Sequence, residues 1–468
     1  MAQSIDFNDR PNEQQSHIDG VRALLPTIYG CQPLALVRTY GCQQNVADSQ
    51  RIKGLLALMG YGFTESEHEA DLILFNTCAV REHAEDRVLG NVGALVHHKR
   101  RRPDCLIALC GCMMQQAHIC DQIKESYPHV DLVFGTHVIH RLPEYIYRRL
   151  TGSPRIFSIP DSDGVIVEGL PEQRDGGIKG FLSVMYGCNN FCSYCVVPLV
   201  RGRERSRRPE DILADAWDML AAGYKDITLL GQNVNSYGKA EGMETDFAGL
   251  LRRLNDLPGD FRLRFMTSHP KDCSPALIAA MRDCGKVMGH IHLPVQAGSN
   301  RVLSAMNRGY TREDYLQLVD DLRAAVPDVM LTSDIIVGFP GETHDEFLET
   351  LDLVRRVRYS SLFMFIYSPR EGTPAAALPN PVSHREKTEW FRELQDAEEP
   401  IAAALLRQGI GRVMPVLCDG VGRNEGVLVG RTEGNTIVEF SGTPDTVGQF
   451  VKVRIDGVES FRFRGSVV

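Results

Sequence analysis

Three patterns along the 468-residue chain predict an α/β protein in three parts: an N-terminal doubly wound parallel-sheet domain, a central partial (βα)6 barrel and a C-terminal small β-barrel. The first pattern is a set of buried strand-like runs in 33–150, each followed by a helical segment. The second is six strand-helix repeats within 174–406, and the third is a stretch from 407 to 468 rich in β-branched residues and glycine turns. The chain is too long for one ordinary core, which agrees with three domains.

Taken in order, residues 1–32 are polar and unpatterned and read as a loosely ordered N-terminal tail. Runs 34–40, 71–76 and 106–110 are apolar enough to be strands buried on both faces, with helices such as 49–59 and 84–98 after them. Residues 151–173 are rich in glycine and acids and read as a linker. The central repeats place strands at 181–186, 226–230, 262–267, 290–294, 329–337 and 361–367. One intervening helix opens on the capping box Thr343-x-x-Glu346. A long amphipathic helix at 385–406 leads into strands 413–418, 436–440 and 450–455 of a five-stranded barrel.

No apolar run approaches the ~18 residues a membrane span needs, and the first 24 residues hold no hydrophobic core of a signal peptide. A cytoplasmic protein without a membrane partner is expected. Thirteen cysteines, an odd number, then argue for reduced thiols or metal ligands over a disulfide framework. The net charge of −9 argues against nucleic acid as a partner, but two cationic runs, 97–102 and 201–208, weaken that objection. Each run is either a solvated face or a phosphate contact.

The chemistry concentrates in cysteines. Cys188, Cys192 and Cys195 form a C-x3-C-x2-C triplet in a loop after a predicted strand, and the next cysteine, Cys273, is far along the chain. Three thiolates hold three irons of a [4Fe-4S] cube and leave the fourth iron open to a substrate; the alternative is a zinc loop with a distant fourth ligand. Cys42, Cys78 and Cys112 are scattered, yet each falls within two residues of the C-terminal end of a predicted parallel strand. In a doubly wound sheet those ends converge on one crevice, so the three become one site. Cys105, Cys110 and Cys120 lack that placement and read as structural.

The motifs around Cys42, Cys78 and Cys112, the C-x3-C-x2-C triplet and the final barrel together resemble the radical S-adenosylmethionine (SAM) methylthiotransferases, whose C-terminal module is a TRAM domain. Cys195-Val-Val-Pro198, Leu230-Gly-Gln-Asn-Val-Asn235, Thr267-Ser-His-Pro270, His292-Leu-Pro-Val-Gln-Ala-Gly-Ser299 and Gly338-Phe-Pro-Gly-Glu342 are similar to the branch acting on tRNA. The resemblance implies two [4Fe-4S] clusters, an auxiliary one on Cys42, Cys78 and Cys112 and a SAM-binding one on Cys188, Cys192 and Cys195. It implies methylthiolation of C2 of N6-isopentenyladenosine at tRNA position 37, next to the anticodon. One SAM supplies a methyl group to sulfur on the auxiliary cluster, and a second is cleaved to the radical that activates the base. The implied partners are that tRNA, a reducing protein such as flavodoxin or ferredoxin, and a sulfur donor.

From the resemblance and their expected place at the barrel mouth, Gly231, Gln232 and Asn233 would bind the methionine part of SAM, and Asp334 to Gly338 its ribose and adenine. Ser268 and Gln296 lie at the same mouth, as does His269. Phe450, Phe461 and Phe463 of the last barrel are either core or stacking platforms for bases. Two other readings stay open. One is an RNA-binding iron-sulfur sensor that turns nothing over, and the other is methylthiolation of threonylcarbamoyl-adenosine or of a ribosomal-protein aspartate.

Overall fold

The computed structural model describes residues 4–7, 11–79, 82–160, 163–174, 176–239 and 242–468. The chain divides into two compact units. One gathers Met1–Gly176 with Met185–Asn189 and Val196–Arg207, the other Gly177–Val184, Asn190–Cys195 and Arg208–Val468.

The first unit is built on six parallel strands in the order Gly62–Phe63, Leu34–Thr39, Leu72–Thr77, Leu106–Gly111, Leu132–Phe134 and Ile156–Ser158. Alternate residues of its central strands feed opposite cores. Leu72, Leu74, Ala108 and Cys110 join one, while Ile73, Phe75, Ile107 and Leu109 join the other. That period of two with both sets apolar is why the strands read as continuous hydrophobic runs. The three strands not expected from the sequence are two or three residues long, too short to show a period.

Two expectations are corrected here. The segment read as a loose tail contains the helix Pro11–Tyr29, which buries Ile18, Val21 and Leu25. Their spacing puts them on one helical face, a stripe too sparse to stand out among polar neighbours. The stretch 151–173 is likewise no free linker, since it carries the sheet's edge strand Ile156–Ser158 and a strand, Ile166–Glu168, that pairs with Ser4–Asp6. Its Glu168 is buried against Arg207, and both Nε and Nη2 donate to the carboxylate.

In the second unit Lys179–Ser183, Asp226–Leu230 and Arg262–Phe265 form one parallel sheet, and His290–His292, Met330–Val337 and Ser361–Ile366 another. A parallel bridge between Leu263 and Val287 lies between them, so the six strands follow sequence order as in a partial barrel. The predicted strand 181–186 is divided. Its last two residues, Met185–Tyr186, pair instead with Arg205–Ser206 in the first unit.

Helix His384–Arg407 then leads to a closed barrel of Val413–Val421, Val427–Arg431, Ile437–Ser441, Arg462–Val467 and Phe450–Glu459. Phe463 is in its core, so of the three phenylalanines only Phe450 and Phe461 are exposed. The barrel is fastened to the core sheet by two buried arginines. Arg262 donates to the carbonyls of Pro415 and Arg431, and Arg264 to those of Thr432 and Glu433 while pairing with Asp226. Among the described residues no helix is long and apolar enough to cross a membrane.

Candidate functional site

In the first unit Cys42, Cys78 and Cys112 directly follow or closely flank the ends of Leu34–Thr39, Leu72–Thr77 and Leu106–Gly111. Adjacent parallel strands end side by side, which brings together residues far apart in sequence. Cys42 caps the helix Gln43–Leu58 and its thiol lies 3.3 Å from Asn45 Oδ1. Asn45 in turn donates to Asn76 Oδ1 and Thr77 O, both at 3.1 Å, and Asn76 donates back to Asn45 O at 2.8 Å. These buried amides lock the Cys42 turn to the strand end that bears Cys78. Glycines make the approach possible: a Cβ on Gly41 would meet Cys78 Cβ at 2.8 Å, and one on Gly111, at φ +99°, would meet Thr77 O at 2.3 Å.

The electrostatics favour the thiolate at Cys42. A hydrogen bond from Cys78, aided by Arg201 against the effect of burial, lowers the Cys42 thiol to about 6. Burial raises Cys112, and Arg201 opposes it. Arg201 is itself buried. Its Nε donates to Cys112 Sγ at 3.0 Å and its Nη1 pairs with Asp48 at 2.7 Å. Burial works against that charge, but Asp48, Cys112 and Cys42 outweigh it and hold the guanidinium protonated. The cationic run 201–208 is therefore largely internal: Arg201, Arg205 and Arg207 are buried, where the sequence had allowed a phosphate-binding face.

The second unit holds Cys192 and Cys195, while Cys188 belongs to the first, its N–H bonded to Gly202 O. The loop 190–195 is strapped to the end of helix Asn300–Ala305. Asn307 donates to the carbonyls of Asn190 and Phe191, and Ser193 to Ala305 O. Arg308, buried like Arg201, places Nη1 3.2 Å from Cys192 Sγ and Nη2 2.5 Å from Pro294 O, with its plane over Tyr310. Arg308 and Asn307 carry no motif in the sequence reading; a basic residue three positions past a short helix is too common a pattern to stand out. Each cysteine set thus has one buried arginine on a sulfur.

The seven proposed cofactor residues lie at or beyond the C-terminal halves of core strands. Gly231, Gln232 and Asn233 follow Asp226–Leu230, Ser268 follows Arg262–Phe265, Gln296 follows His290–His292, and Gly338 follows Met330–Val337. Asp334 is inside that last strand, 3.4 Å from His292 Nε2, and Gln296 bridges to the same strand with φ +79°. Asn233 and Gly338 are also engaged within the protein. Asn233 donates to Asp272 at 2.7 Å and accepts from His269 N–H at 3.1 Å, and Gly338 N–H donates to the Glu342 carboxyl at 2.6 Å. Ser268 is fully buried and its hydroxyl has no partner among the described residues, an orphan that a bound polar group would satisfy. His269 is held neutral by burial, at about 2, and its Nε2 also lacks a partner.

Residues 35–135 match the uncharacterized protein family UPF0004, 182–354 the radical SAM superfamily and 407–468 the TRAM domain. The tRNA-2-methylthio-N6-dimethylallyladenosine synthase of Acetivibrio thermocellus is 47% identical, over 97% of this chain and 96% of its own length. The synthase of the same name from Alkaliphilus oremlandii is 49% identical over 92% of both chains. The chain belongs to the tRNA-2-methylthio-N6-dimethylallyladenosine synthase family. Among solved structures, the radical SAM methyltransferase TsrM from Kitasatospora setae shares its fold at a TM-score of 0.55 and 16% identity, over 74% of this chain and 75% of that one.

For this family the donor chemistry fits what the radical SAM domain implies, an iron-sulfur cluster and SAM. Thiolates are the ligands such clusters take, and hydrogen bonds to their sulfurs tune them. Among the described residues no three cysteine, histidine or carboxylate side chains are grouped to hold a single metal ion. A cube places its irons at separate corners and asks for donors spread around it.

Proposed function

We propose that this chain methylthiolates C2 of N6-isopentenyladenosine in tRNA, at the base next to the anticodon, with SAM as both methyl donor and radical source. The observation that carries the reading is the presence, in one chain of this family, of two separate three-cysteine sets, each with a buried arginine hydrogen-bonded to a thiol sulfur. Cys42, Cys78 and Cys112 would hold an auxiliary [4Fe-4S] cluster, and Cys188, Cys192 and Cys195 the cluster that binds SAM. When bound, these groups supply the radical and sulfur chemistry that an aromatic C2–H demands and no side chain provides. The residues of this chain hold and tune them. Arg201 and Arg308 offset thiolate charge, Gly231, Gln232 and Asn233 line the methionine side, and Ser268, Gln296, Asp334 and Gly338 line the nucleoside side. Asn233 acts there by fixing the Asp272 carboxylate and the His269 backbone rather than by free side-chain atoms.

The working complex would include prenylated tRNA, a reductant such as flavodoxin or ferredoxin, and a sulfur donor, in the cytoplasm. Recognition of the prenyl group gives the test. Burying its five carbons contributes on the order of 3 to 4 kcal/mol at ~0.8 kcal/mol per carbon. Prenylated tRNA should then beat unmodified tRNA by about a hundredfold or more in kcat/KM. Threonylcarbamoyl-adenosine should fare worse still, since its carboxylate would be buried without a partner. Competition between tRNAs differing only at this base, scored by methylthio product, decides. Equal use of prenylated and bare adenosine would refute the assignment.

A further inference from the structure

Within the second unit the strand pair Met330–Val337 and Ser361–Ile366 has two unlike faces. Ser333 and Tyr315 of helix Arg312–Ala325 both donate to Leu293 O, at 3.0 Å each, so that helix lies on the Ser333 side. Leu331, Ile335, Val337 and Leu362 share this side and are buried. Side chains alternate along a strand, and helices lie outside a (βα) barrel, so Asp334, Ile336, Phe363 and Phe365 are on the inward face. The register sets Asp334 beside Phe363 and Ile336 beside Phe365. That face is not filled. Phe363 is 47% exposed and Phe365 37%, so two phenylalanines on one strand forgo the stabilisation of burial although they point into the barrel. The Phe363 ring is also fixed in place. His292 meets it edge to face, with centroids 5.6 Å apart, and is itself held by Thr332 Oγ1 at 3.0 Å and Asp334 Oδ1 at 3.4 Å.

We propose that Phe363 and Phe365 are the specificity-determining face for the substrate base, with Phe365 stacked on the adenine ring and Phe363 against the prenyl tail. This rests on the function proposed above. The face is continuous with the nucleoside side of SAM in that reading, since Asp334 adjoins Phe363 and Gly338 directly follows the same strand. Phe365 is nearer the mouth, and Phe363 is one strand period, about 6.6 Å, deeper. The C2–H and C6–N6 bonds of adenine diverge, so a base that offers C2 to the mouth sends its tail away from it, toward Phe363. The charge on this face selects the same tail. Among the described residues Asp334 makes no ion pair with a lysine or arginine, so a neutral branched tail meets Phe363 without penalty, while a tail ending in a carboxylate meets like charge.

Kinetics of the reconstituted full chain on two tRNAs that differ only in the prenyl group test the assignment. Phe363→Ala should cut the kcat/KM preference for the prenylated tRNA about tenfold, chiefly by raising its KM, and Phe363→Leu should keep most of that preference. Phe365→Ala should lower kcat/KM about tenfold for both tRNAs and leave their ratio unchanged. The melting temperature should not move in any of these variants, because both rings are exposed. Phe363→Gln, polar and of similar reach, should lose the preference as the alanine variant does, and it decides alone if Phe363→Ala does not fold. A preference that survives both Phe363→Ala and Phe363→Gln overturns the inference and leaves the functional reading standing. Equal losses on both tRNAs in Phe363→Ala would make the ring a stacking platform that does not read the tail, which also overturns it. So would a change of oligomeric state in Phe363→Ala with the ratio intact, since the face would then belong to a second copy of the chain. A wild-type enzyme with no preference for the prenylated tRNA refutes the functional reading and takes the inference with it.

Discussion

Arg308 shows how one side chain sets the chemistry of a cysteine. It spends donors on Pro294 O, Tyr310 and Cys192 Sγ, so its position is fixed from three sides. A charged hydrogen bond is worth about 1.5–3 kcal/mol, and the part of it that differs between cluster oxidation states shifts the potential by tens of millivolts. Removing the positive charge disfavours the reduced cluster, so Arg308→Gln should move the midpoint potential of the SAM-binding cluster downward and slow SAM cleavage. Arg308→Lys should recover part of both. An EPR-monitored redox titration reads the shift, and an unchanged potential would reduce Arg308 to a strut. At the same scale, Cys195→Ala should abolish 5′-deoxyadenosine formation. Cys78→Ala should leave it largely intact and abolish methylthio transfer, with about half the iron lost in each variant. Full product from the Cys78 variant would remove the auxiliary cluster from the scheme.

At the scale of an element, the loop after strand Met330–Val337 turns on Gly338, at φ +73°, where a Cβ would meet Lys387 Cγ at 2.5 Å. Glu342 closes the loop by accepting from the N–H groups of Gly338 and Phe339 at 2.6 and 3.0 Å. Burial outweighs those bonds and raises the Glu342 carboxyl to about 7. A carboxyl whose pKa is raised on folding favours the folded state most below its unfolded value, near 4.5, and that contribution is lost as pH rises through 7. The protein should therefore lose on the order of 2–3 kcal/mol between pH 4.5 and 7.5 from this group, and Glu342→Gln should flatten the slope. Urea unfolding across that range measures it. Identical slopes for the two proteins would mean that Glu342 titrates normally.

At the scale of the chain, the C-terminal barrel is more than an appendage for RNA. Arg262 and Arg264 are buried beneath it with their N–H groups on its carbonyls, Lys179 pairs with Asp419 of the barrel, and Arg412 pairs with Asp328. Cutting at Gly411 would remove the carbonyl acceptors of both guanidiniums, leaving Arg264 only Asp226, and each such hydrogen bond to a charged group is worth about 1.5–3 kcal/mol. Deletion of 411–468 should lower the melting temperature and with it SAM cleavage, as should Arg264→Ala in the intact chain. Phe461→Ala, on the exposed surface, should affect neither. A truncated chain as stable as the parent would show that the barrel is attached without being needed. No local pattern marks these arginines, because their partners are 150 or more positions away.

The amino-acid sequence by itself determined the strand-helix order, the positions of the long buried strands and the six cysteines. Apolar periodicity and the C-x3-C-x2-C spacing are local, so each can be read in a window of a few residues, and the scattered Cys42, Cys78 and Cys112 are joined through the strand ends that periodicity marks. The tertiary structure alone decided what surrounds those thiols. Arg201 and Arg308 reach Cys112 and Cys192 across 89 and 116 positions. Arg205 is buried with its Nη2 on Arg201 O, four residues back in the same run. The inward turn of the basic run at 201–208 was hidden for the same reason. Whether a polar residue is solvated or buried depends on which distant segment covers it, and no local pattern carries that information.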